Sequence, residues 1–409
     1  MKNDTTAIRF HYRPVRYLLT RYAGKRSGSV ALSPLGCVSL DRVEAPPLPG
    51  PGWVRVATTL SGICGSDLAA VTAHDSFTLE PFGAFPFTFG HENVGRIVEV
   101  GTEAGAWSVG DRVIVNPMLA CEQRGLEPCP ACARGEYGLC RRTKDGALGT
   151  GPMIGYCPTV GGGWSGSFVA HISQLQAPGA LTDEVAVLTD PFASALRPVL
   201  LHPPEPGQPV LVIGVGTIGA LTIRALRQIG HDGPIAVVAR HGFQAELAKR
   251  AGADIVLSGK DALYAWAAGL PHAVAHKPTL APRFVEGGPA VIYDTVGTQS
   301  SLTDALSLAR EGGRIILVGA AARVAVDWTR VWYRQLTVAG VFAYGLVPFE
   351  GEMRDIYDVS IELMRRSDLG SLKLLTHVFE LEEYRAALAA ALDKNGHGSI
   401  KVAFRPSHG

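Results

Sequence analysis

The sequence has almost no excess of charge of either sign. Its 409 residues include 38 lysines and arginines against 37 aspartates and glutamates. Proteins that bind nucleic acid or membrane surfaces generally carry a basic excess. The balance therefore argues against both as general partners, and we expect a small-molecule substrate, with no nucleic acid and no membrane.

A long uninterrupted apolar run is also missing. The most apolar stretch, residues 210–226, is broken by glycines and an arginine and is too short to span a bilayer. The first 24 residues contain four arginines and no continuous apolar core, so they do not have the pattern of a signal peptide. We expect a soluble, cytoplasmic protein whose residues 1–28 form a solvated or packed extension, with a transit peptide as the alternative.

Cysteine is scarce but clustered. Four of the seven cysteines fall within twenty residues: Cys121, Cys129, Cys132 and Cys140. Without a secretion signal, such a cluster favours a metal site over disulfides. Four thiolates complete a tetrahedral zinc shell, which would order the irregular segment 116–165. Two disulfides or unrelated thiols are the alternatives. The gap between Cys121 and Cys129 is wider than the usual two to four residues between neighbouring zinc ligands.

The two halves of the chain differ in their periodicity. From residue 29 to 115 the pattern is one of short alternating strands with Gly-rich turns, which predicts a compact β barrel or sandwich. From about residue 192 to 343, apolar strands alternate with amphipathic helices, which predicts a parallel sheet covered on both faces. The C-terminal segment, 344–409, returns to a strand at 399–404, and we assign it to the first domain.

A glycine fingerprint marks the start of the second domain. Gly214, Gly216 and Gly219 directly follow the buried strand 210–213 and open an amphipathic helix that also includes Thr217 and Ile218. In this context the glycines allow a tight turn and a close approach of the backbone to a pyrophosphate. The fingerprint therefore predicts dinucleotide binding. A tight strand–helix turn without a ligand is the alternative.

The acidic residue that would hold the ribose of NAD is absent. About twenty residues past the glycines, the chain has Val238-Ala239-Arg240-His241 at the end of the next strand. A guanidinium can bind a ribose 2′-phosphate bidentately. We therefore predict NADP in preference to NAD, with Arg240 and His241 at the cofactor. The alternative is that Arg240 points to solvent.

Cys64 and His91 are separated by fewer than thirty residues and lie on Gly-flanked turns between predicted strands. Their side chains are typical zinc ligands, although each type alone is more often structural. Together with a dinucleotide domain and a cysteine cluster, they predict a catalytic zinc, which needs three protein ligands and one open position.

The order of these motifs resembles that of the zinc-dependent medium-chain dehydrogenases/reductases, the family of alcohol, sorbitol and threonine dehydrogenases. The resemblance covers about residues 30–404. It implies an α/β protein with a GroES-like β-rich catalytic domain, residues 1–191 and 344–409, and a Rossmann doubly wound parallel-sheet cofactor domain, residues 192–343. The motifs that carry it are Gly62-Ile63-Cys64-Gly65-Ser66-Asp67, Gly90-His91-Glu92-Asn93-Val94-Gly95, Gly110-Asp111-Arg112-Val113, the cysteine cluster and Gly214 to Gly219.

The resemblance also implies roles for single residues. Cys64 and His91 would bind the catalytic zinc together with Asp190 or Glu92, where Glu92 is either an exchanging ligand or a partner of the ligands. Ser66 matches a proton-relay hydroxyl, and Asp67 matches a carboxylate that orients the ligands.

Other family positions match less completely. Leu68-Ala69-Ala70 stands where some relatives carry a relay histidine. Water, the cofactor ribose or His74 would have to complete the relay. Lys401 matches the position of a cation near the cofactor pyrophosphate. The resemblance also implies that the protein is a homo-oligomer, either a dimer or a tetramer.

The predicted reaction is reversible hydride transfer between a primary or secondary alcohol and NADP(H) or NAD(H), with two zinc ions per chain. The aromatic segment 74–89 would line the substrate site and favour apolar or ring-bearing alcohols, or it would pack against the barrel. The alternatives are a zinc-independent enone or quinone reductase on the same fold and a catalytically silent NADP sensor.

Overall fold

The fold is described here from a computed structural model, in which residues 4–23, 30–321 and 323–407 are described. The first part of the chain contains the strands and helices β1 (Asp4–Phe10), α1 (Pro14–Ala23), β2 (Val38–Glu44), β3 (Trp53–Gly62), α2 (Gly65–Val71), β4 (Phe87–Thr88), β5 (Glu92–Val100), β6 (Arg112–Val115), β7 (Ser167–His171), β8 (Leu175–Gln176), α3 (Asp183–Ala186) and α4 (Thr189–Leu201).

The middle part alternates strands and helices. Its elements are β9 (Val210–Ile213), α5 (Thr217–Gln228), β10 (Ile235–Val238), α6 (Gly242–Ala251), β11 (Ile255–Leu257), α7 (Gly259–Ala268), β12 (Val274–His276), β13 (Phe284–Glu286), β14 (Val291–Asp294), α8 (Gln299–Leu308), β15 (Arg314–Leu317), α9 (Thr329–Tyr333) and β16 (Thr337–Gly340).

The last part of the chain adds further strands and helices. It contains β17 (Leu346–Phe349), β18 (Glu352–Asp355), α10 (Ile356–Arg366), β19 (Leu375–Phe379), α11 (Tyr384–Leu392), α12 (Lys394–His397) and β20 (Lys401–Phe404). Short 3-10 helices lie at Phe77–Phe82, Glu122–Arg124, Cys132–Arg134, Tyr137–Leu139, Ile172–Gln174, Leu369–Leu372 and Leu381–Glu383.

The chain divides into two compact units. Unit 1 comprises residues 1–190, 344–346 and 357–409, and unit 2 comprises residues 191–343 and 347–356. Among the helices of the described residues, none is both long enough and apolar enough to cross a bilayer.

Unit 1 is organised around β3. This strand pairs antiparallel with β5, β7 and β20, in a sheet of order β19-β20-β3-β5-β6-β8. The alternation predicted for this region is only partial in β3: Val54, Val56 and Leu60 are fully buried, but Trp53 and Arg55 between and beside them are buried as well. The sheet thus holds both the end of β3, which precedes Cys64, and the start of β5, which carries Glu92.

The N-terminal region is part of unit 1. β1 pairs with β2 along its whole length and with β4, which leads to His91. α1 lies in the connection between β1 and β2. Of the predicted extension, residues 4–23 are therefore packed structure, and the remainder of 1–28 lies outside the described residues.

Unit 2 has a parallel sheet of order β11-β10-β9-β14-β15-β16. Numbered within the sheet, this is the order 3-2-1-4-5-6 of a Rossmann fold. The central strands β9 and β14 are buried along their length, as expected for a sheet covered on both faces. The predicted Rossmann class is confirmed. The hairpin β12–β13 was not predicted.

Candidate functional site

Cys64 lies where β3 passes into α2. It is the residue before the helix and has extended backbone angles, and its N–H donates to Asp67 Oδ2 at 2.9 Å. A carboxylate in the first turn satisfies an otherwise free N–H at a helix start. This hydrogen bond therefore fixes the backbone of Cys64, from which the thiol side chain extends. The Asp67 side chain is completely buried.

His91 and Glu92 follow a turn that requires glycine. Gly90 has φ +101°, and a Cβ at this position would lie 2.5 Å from the backbone nitrogen of Trp164. The turn is held by Asn93 Nδ2, which donates to Gly90 O at 3.0 Å. His91 and Glu92 are only 4% and 1% exposed, so the turn aims both side chains inward.

The side chains of Cys64, His91 and Glu92 meet in unit 1. One ligand atom from each lies within 4.8 Å of the other two. A thiolate sulfur, an imidazole nitrogen and a carboxylate oxygen are all donors that zinc accepts, and three protein donors leave a fourth tetrahedral position for another ligand. The arrangement therefore fits a catalytic zinc site. Asp190 is not among the donor atoms of this group.

Asp67 lies behind His91. Its Oδ1 is 3.3 Å from His91 Nδ1, which leaves Nε2 as the nitrogen available for a metal. Burial lowers the pKa of His91, but the neighbouring Asp67 carboxylate and Cys64 raise it, with a net result well above the usual value.

Tyr156 is a site residue that the sequence analysis missed. Its hydroxyl donates to Asp67 Oδ1 at 2.9 Å, and its ring centroid is 5.7 Å from that of His91. Burial, followed by the Asp67 charge, raises the pKa of Tyr156, while the Ser66 hydroxyl acts in the opposite direction. Ser66, the predicted relay hydroxyl, lies half-buried in the first turn of α2. The other relay candidate, His74, is exposed, with Nδ1 2.8 Å from Thr72 O.

Lys401 lies beside Glu92. The buried Lys401 ammonium forms an ion pair with Glu92 and donates to Ile63 O at 3.0 Å. Burial lowers the pKa of Lys401, but the Glu92 carboxylate, together with Cys64 and Asp190, raises it, so that the net shift of the pKa is upward. Its predicted contact with a cofactor pyrophosphate remains a prediction.

Asp190 has different partners from those predicted. Its Oδ1 accepts hydrogen bonds from the hydroxyls of Tyr344 at 2.8 Å and Tyr357 at 2.5 Å. Burial and the Asp190 charge raise the pKa of both tyrosines well above the usual value, so both stay protonated donors. Of the two carboxylates proposed as third ligand, the structure brings Glu92 and not Asp190 into the donor group.

The cysteine cluster forms a second donor group. One sulfur from each of the four cysteines, Cys121 included, lies within 4.8 Å of the other three. The Cys121–Cys140 and Cys129–Cys132 sulfur pairs are each 3.6 Å apart, far beyond the ~2.05 Å of a disulfide bond. Burial alone would raise the pKa of the Cys129 thiol. Hydrogen bonds from backbone N–H groups together outweigh this effect and lower the pKa to about 6. The group fits a closed zinc shell.

The glycine fingerprint has the expected geometry in unit 2. Gly214 has φ +97°. A Cβ on Gly219 would lie 2.0 Å from Gly214 O, whereas a Cβ on Gly216 would meet no atom within 4 Å. Open space at Gly216, next to the first turn of α5 with Thr217 and Ile218, suits the approach of a pyrophosphate to a helix N-terminus.

Arg240 and His241 follow β10. Arg240 is exposed, and its backbone N–H donates to Gln244 Oε1 at 3.1 Å. His241 precedes α6 and its ring stacks on Phe243 with centroids 5.7 Å apart. Among the described residues, no acidic side chain pairs with the Arg240 guanidinium.

Comparisons with known proteins agree with the two-unit fold. The family model "Alcohol dehydrogenase GroES-like domain" matches residues 50–177, and "Zinc-binding dehydrogenase" matches residues 217–360. The chain belongs to the zinc-type medium-chain dehydrogenase/reductase family. It is an oxidoreductase of the NAD(P)-dependent class that acts on CH–OH groups.

The named relatives align with most of the chain. Sorbitol dehydrogenase of Bacillus subtilis (strain 168) is 26% identical over 362 residues, 86% of this chain and 90% of the relative. L-Threonine 3-dehydrogenase of Paraburkholderia xenovorans is 27% identical over 362 residues, 87% and 92% of the two chains. L-Idonate 5-dehydrogenase of Vitis vinifera is 28% identical over 361 residues, 87% and 88% of the chains.

Solved structures share the fold. 2R,3R-Butanediol dehydrogenase from Bacillus subtilis superposes with a TM-score of 0.72 at 24% identity, covering 98% of this chain and 100% of that one. A putative zinc-binding dehydrogenase from Sinorhizobium meliloti 1021, bound to NADP, has a TM-score of 0.72 at 22% identity and covers 98% and 99%.

Proposed function

We propose that this protein interconverts an alcohol and its carbonyl compound with NADP(H), using a zinc ion held by Cys64, His91 and Glu92. The observation that carries the proposal is the convergence of these three donors within 4.8 Å. When bound there, zinc supplies a Lewis acid that lowers the pKa of a substrate hydroxyl.

The chain's own residues serve the reaction in three ways. The Asp67 carboxylate, 3.3 Å from His91 Nδ1, keeps the imidazole oriented with Nε2 free. Ser66, half-buried in the first turn of α2, relays the proton that leaves the substrate hydroxyl: its oxygen accepts that proton while its own hydroxyl proton passes on to water or to the cofactor ribose. Lys401 balances the charge of Glu92 in a buried setting where an unpaired carboxylate would be costly.

The cofactor proposal rests on unit 2. The open approach at Gly216 supports binding of a pyrophosphate, with Thr217 and Ile218 in the first helical turn. Arg240 and His241 at the end of β10, without an acidic residue in that position, favour the 2′-phosphate of NADP over the 2′-hydroxyl of NAD.

The substrate proposal is an apolar alcohol, ring-bearing substrates included. The segment after α2 exposes the rings of Phe77, Phe82 and Phe85, by 59%, 44% and 41%. Phe87, in contrast, is buried in the core of unit 1, so packing accounts for that residue. Exposed aromatic rings suit apolar ligands better than small polyols. We also propose that the protein is a homo-oligomer.

The test is a substrate screen combined with ligand variants. Reduction of NADP and of NAD, followed by absorbance, is measured with aliphatic, cyclic and aromatic alcohols, and zinc is counted in each preparation. We expect Cys64→Ser and His91→Ala to lose at least about a hundredfold in kcat/KM while remaining folded, because each loses a zinc ligand. Full activity in zinc-depleted His91→Ala would refute the proposal.

A matched control is available in Cys157. This thiol is buried, whereas that of Cys64 is half-buried; its Sγ lies 3.5 Å from Leu148 O, and it belongs to neither donor group. Cys157→Ser should retain activity and zinc. Loss of activity in this control equal to that in Cys64→Ser would show that the assay reports general damage.

A further inference from the structure

Tyr156 makes a partly buried hydrogen bond that has no role in the proposed hydride transfer. Its hydroxyl donates to Asp67 Oδ1 at 2.9 Å, although the two residues are 89 positions apart in the chain. The carboxylate has no exposure to solvent. An unpaired oxygen of a buried carboxylate is costly, so this donor fixes one orientation of Asp67.

The remaining contacts of Asp67 lead to two of the proposed zinc ligands. Oδ2 accepts the backbone N–H of Cys64 at 2.9 Å, and Oδ1, which also accepts from Tyr156, is 3.3 Å from His91 Nδ1. A rotation of the carboxylate would therefore disturb both the thiol and the imidazole. The hydrogen bond from Tyr156 is the third contact that restrains the Asp67 carboxylate, and it comes from a distant part of the chain.

Tyr156 is itself held in place. Its ring packs against Phe87 with centroids 5.2 Å apart and against Phe89 at 6.5 Å, and both of these rings belong to a buried core. Its backbone N–H donates to Met153 O at 3.1 Å. A ring fixed by core contacts delivers its hydroxyl to one point, which is what positioning a carboxylate requires.

We propose that Tyr156 is a positioning residue for the zinc site: through its hydrogen bond it sets the orientation of Asp67, and through Asp67 that of His91. The inference rests on the proposed function, in which His91 is a zinc ligand. Removing partners behind the ligands of a metal typically weakens metal affinity about 10- to 100-fold. Tyr156 is therefore expected to affect zinc retention as well as turnover.

The experiment compares the holoenzyme with Tyr156→Phe, which keeps the ring contacts and removes only the hydroxyl. Zinc dissociation is measured by competition with a chromophoric chelator, and kcat and KM are measured in parallel. We expect about tenfold weaker binding of the less tightly held zinc, a lower kcat and little change in KM. Equal zinc affinity in the variant and the parent would overturn the inference.

A matched control and a double-mutant cycle separate positioning from packing. Tyr293 is buried in unit 2 and its hydroxyl donates to His202 O at 2.7 Å, so Tyr293→Phe makes the same chemical change away from the site. It should leave zinc affinity unchanged. In an Asp67→Asn background, the Tyr156→Phe effect should shrink to less than a third, because both act on one contact. Full additivity would overturn the inference.

The outcome also distinguishes this inference from the proposed function. A parent protein that binds only one zinc, in the cysteine cluster, would refute the proposed function and with it this role of Tyr156. A parent that binds two zinc ions, with a Tyr156→Phe variant of equal affinity, would refute the positioning role alone.

Discussion

Two buried carboxylates flank the donor group, and tyrosine hydroxyls hold both of them. Asp67 accepts from Tyr156, and Asp190 accepts from Tyr344 and Tyr357. Tyrosine supplies a donor at the end of a large apolar ring, so it can reach a buried oxygen without burying a second charge. At the residue scale, neutral donors therefore hold the two carboxylates beside the proposed zinc ligands, whereas Glu92 pairs with the charged Lys401.

The proposed preference for NADP also depends on one residue, Arg240. Replacing Arg240 with alanine removes the proposed charge-assisted hydrogen bonds to a 2′-phosphate, each worth about 1.5–3 kcal/mol. We expect kcat/KM for NADP to fall about 10- to 100-fold and that for NAD to stay within about twofold. Steady-state kinetics with both cofactors gives the ratio.

Lys249→Ala is the control for this change of charge, because Lys249 lies at the other end of α6 and pairs with Glu246. It should leave the NADP to NAD ratio unchanged. A parent enzyme that prefers NAD, or an Arg240→Ala variant with an unaltered ratio, would contradict the assignment of Arg240.

The residues of the site differ in how far the sequence could predict them. Cys64 and His91 are residue types that bind zinc, and both lie on short Gly-flanked turns. The local sequence therefore indicates them as candidate ligands. Tyr156 and Tyr344 carry no such signal, because their role depends on a contact with Asp67 or Asp190 made 89 or 154 residues away. A tyrosine in an irregular segment has no periodicity that would indicate its partner.

At the scale of elements, the connection between β1 and β2 is longer than the pairing of these strands requires. The two strands pair from Asp4↔Glu44 to Phe10↔Val38, and residues 11–37 join them, whereas a hairpin needs about 2–5 residues. Within this connection, α1 packs on the segment that follows α2. The contacts come from one face of the helix, with Tyr17 buried and Val15 81% exposed.

Arg21 and Tyr17 tie α1 to that segment. Arg21 Nη1 donates to Ala73 O at 2.7 Å, its guanidinium lies 4.3 Å from the Phe77 ring centroid, and the Tyr17 hydroxyl donates to Asp75 Oδ1 at 2.8 Å. Losing the charged hydrogen bonds in Arg21→Ala should cost about 1.5 kcal/mol locally, so amides of residues 72–77 should exchange about tenfold faster. Hydrogen exchange followed by mass spectrometry measures this.

Val15→Ala changes the exposed face of the same helix and should leave exchange in residues 72–77 as in the parent. If Arg21→Ala exchanged no faster than Val15→Ala, the contacts of Arg21 would not stabilise the segment.

The elements of unit 2 were predicted better than those of the N-terminal region, for a physical reason. Buried parallel strands followed by amphipathic helices repeat a pattern of fixed period, so β9, α5 and β10 could be located from the sequence. α1 has a mixed pattern, with Leu18 and Leu19 exposed by 48% and 43%, and such a pattern gives no clear buried face.

At the scale of the whole molecule, the two donor groups both belong to unit 1, whereas the glycine fingerprint belongs to unit 2. The donor groups also differ in kind. The cysteine group offers four thiolates that close a shell, and the Cys64 group offers three donors and leaves one position for exchange. These differences predict that zinc is lost in two separate steps and that cofactor binding survives the first.

We therefore expect two zinc ions per chain and stepwise removal by a chelator. A mild chelator should remove the zinc of the Cys64 group and abolish turnover, while NADP binding, measured by fluorescence, and thermal stability remain close to those of the holoenzyme. Cys129→Ser should instead lose the other zinc and lower the melting temperature by more than about 5 °C, because a closed zinc shell contributes to folding. Loss of both ions in one step, or unaltered melting of Cys129→Ser, would contradict the division into an open and a closed site.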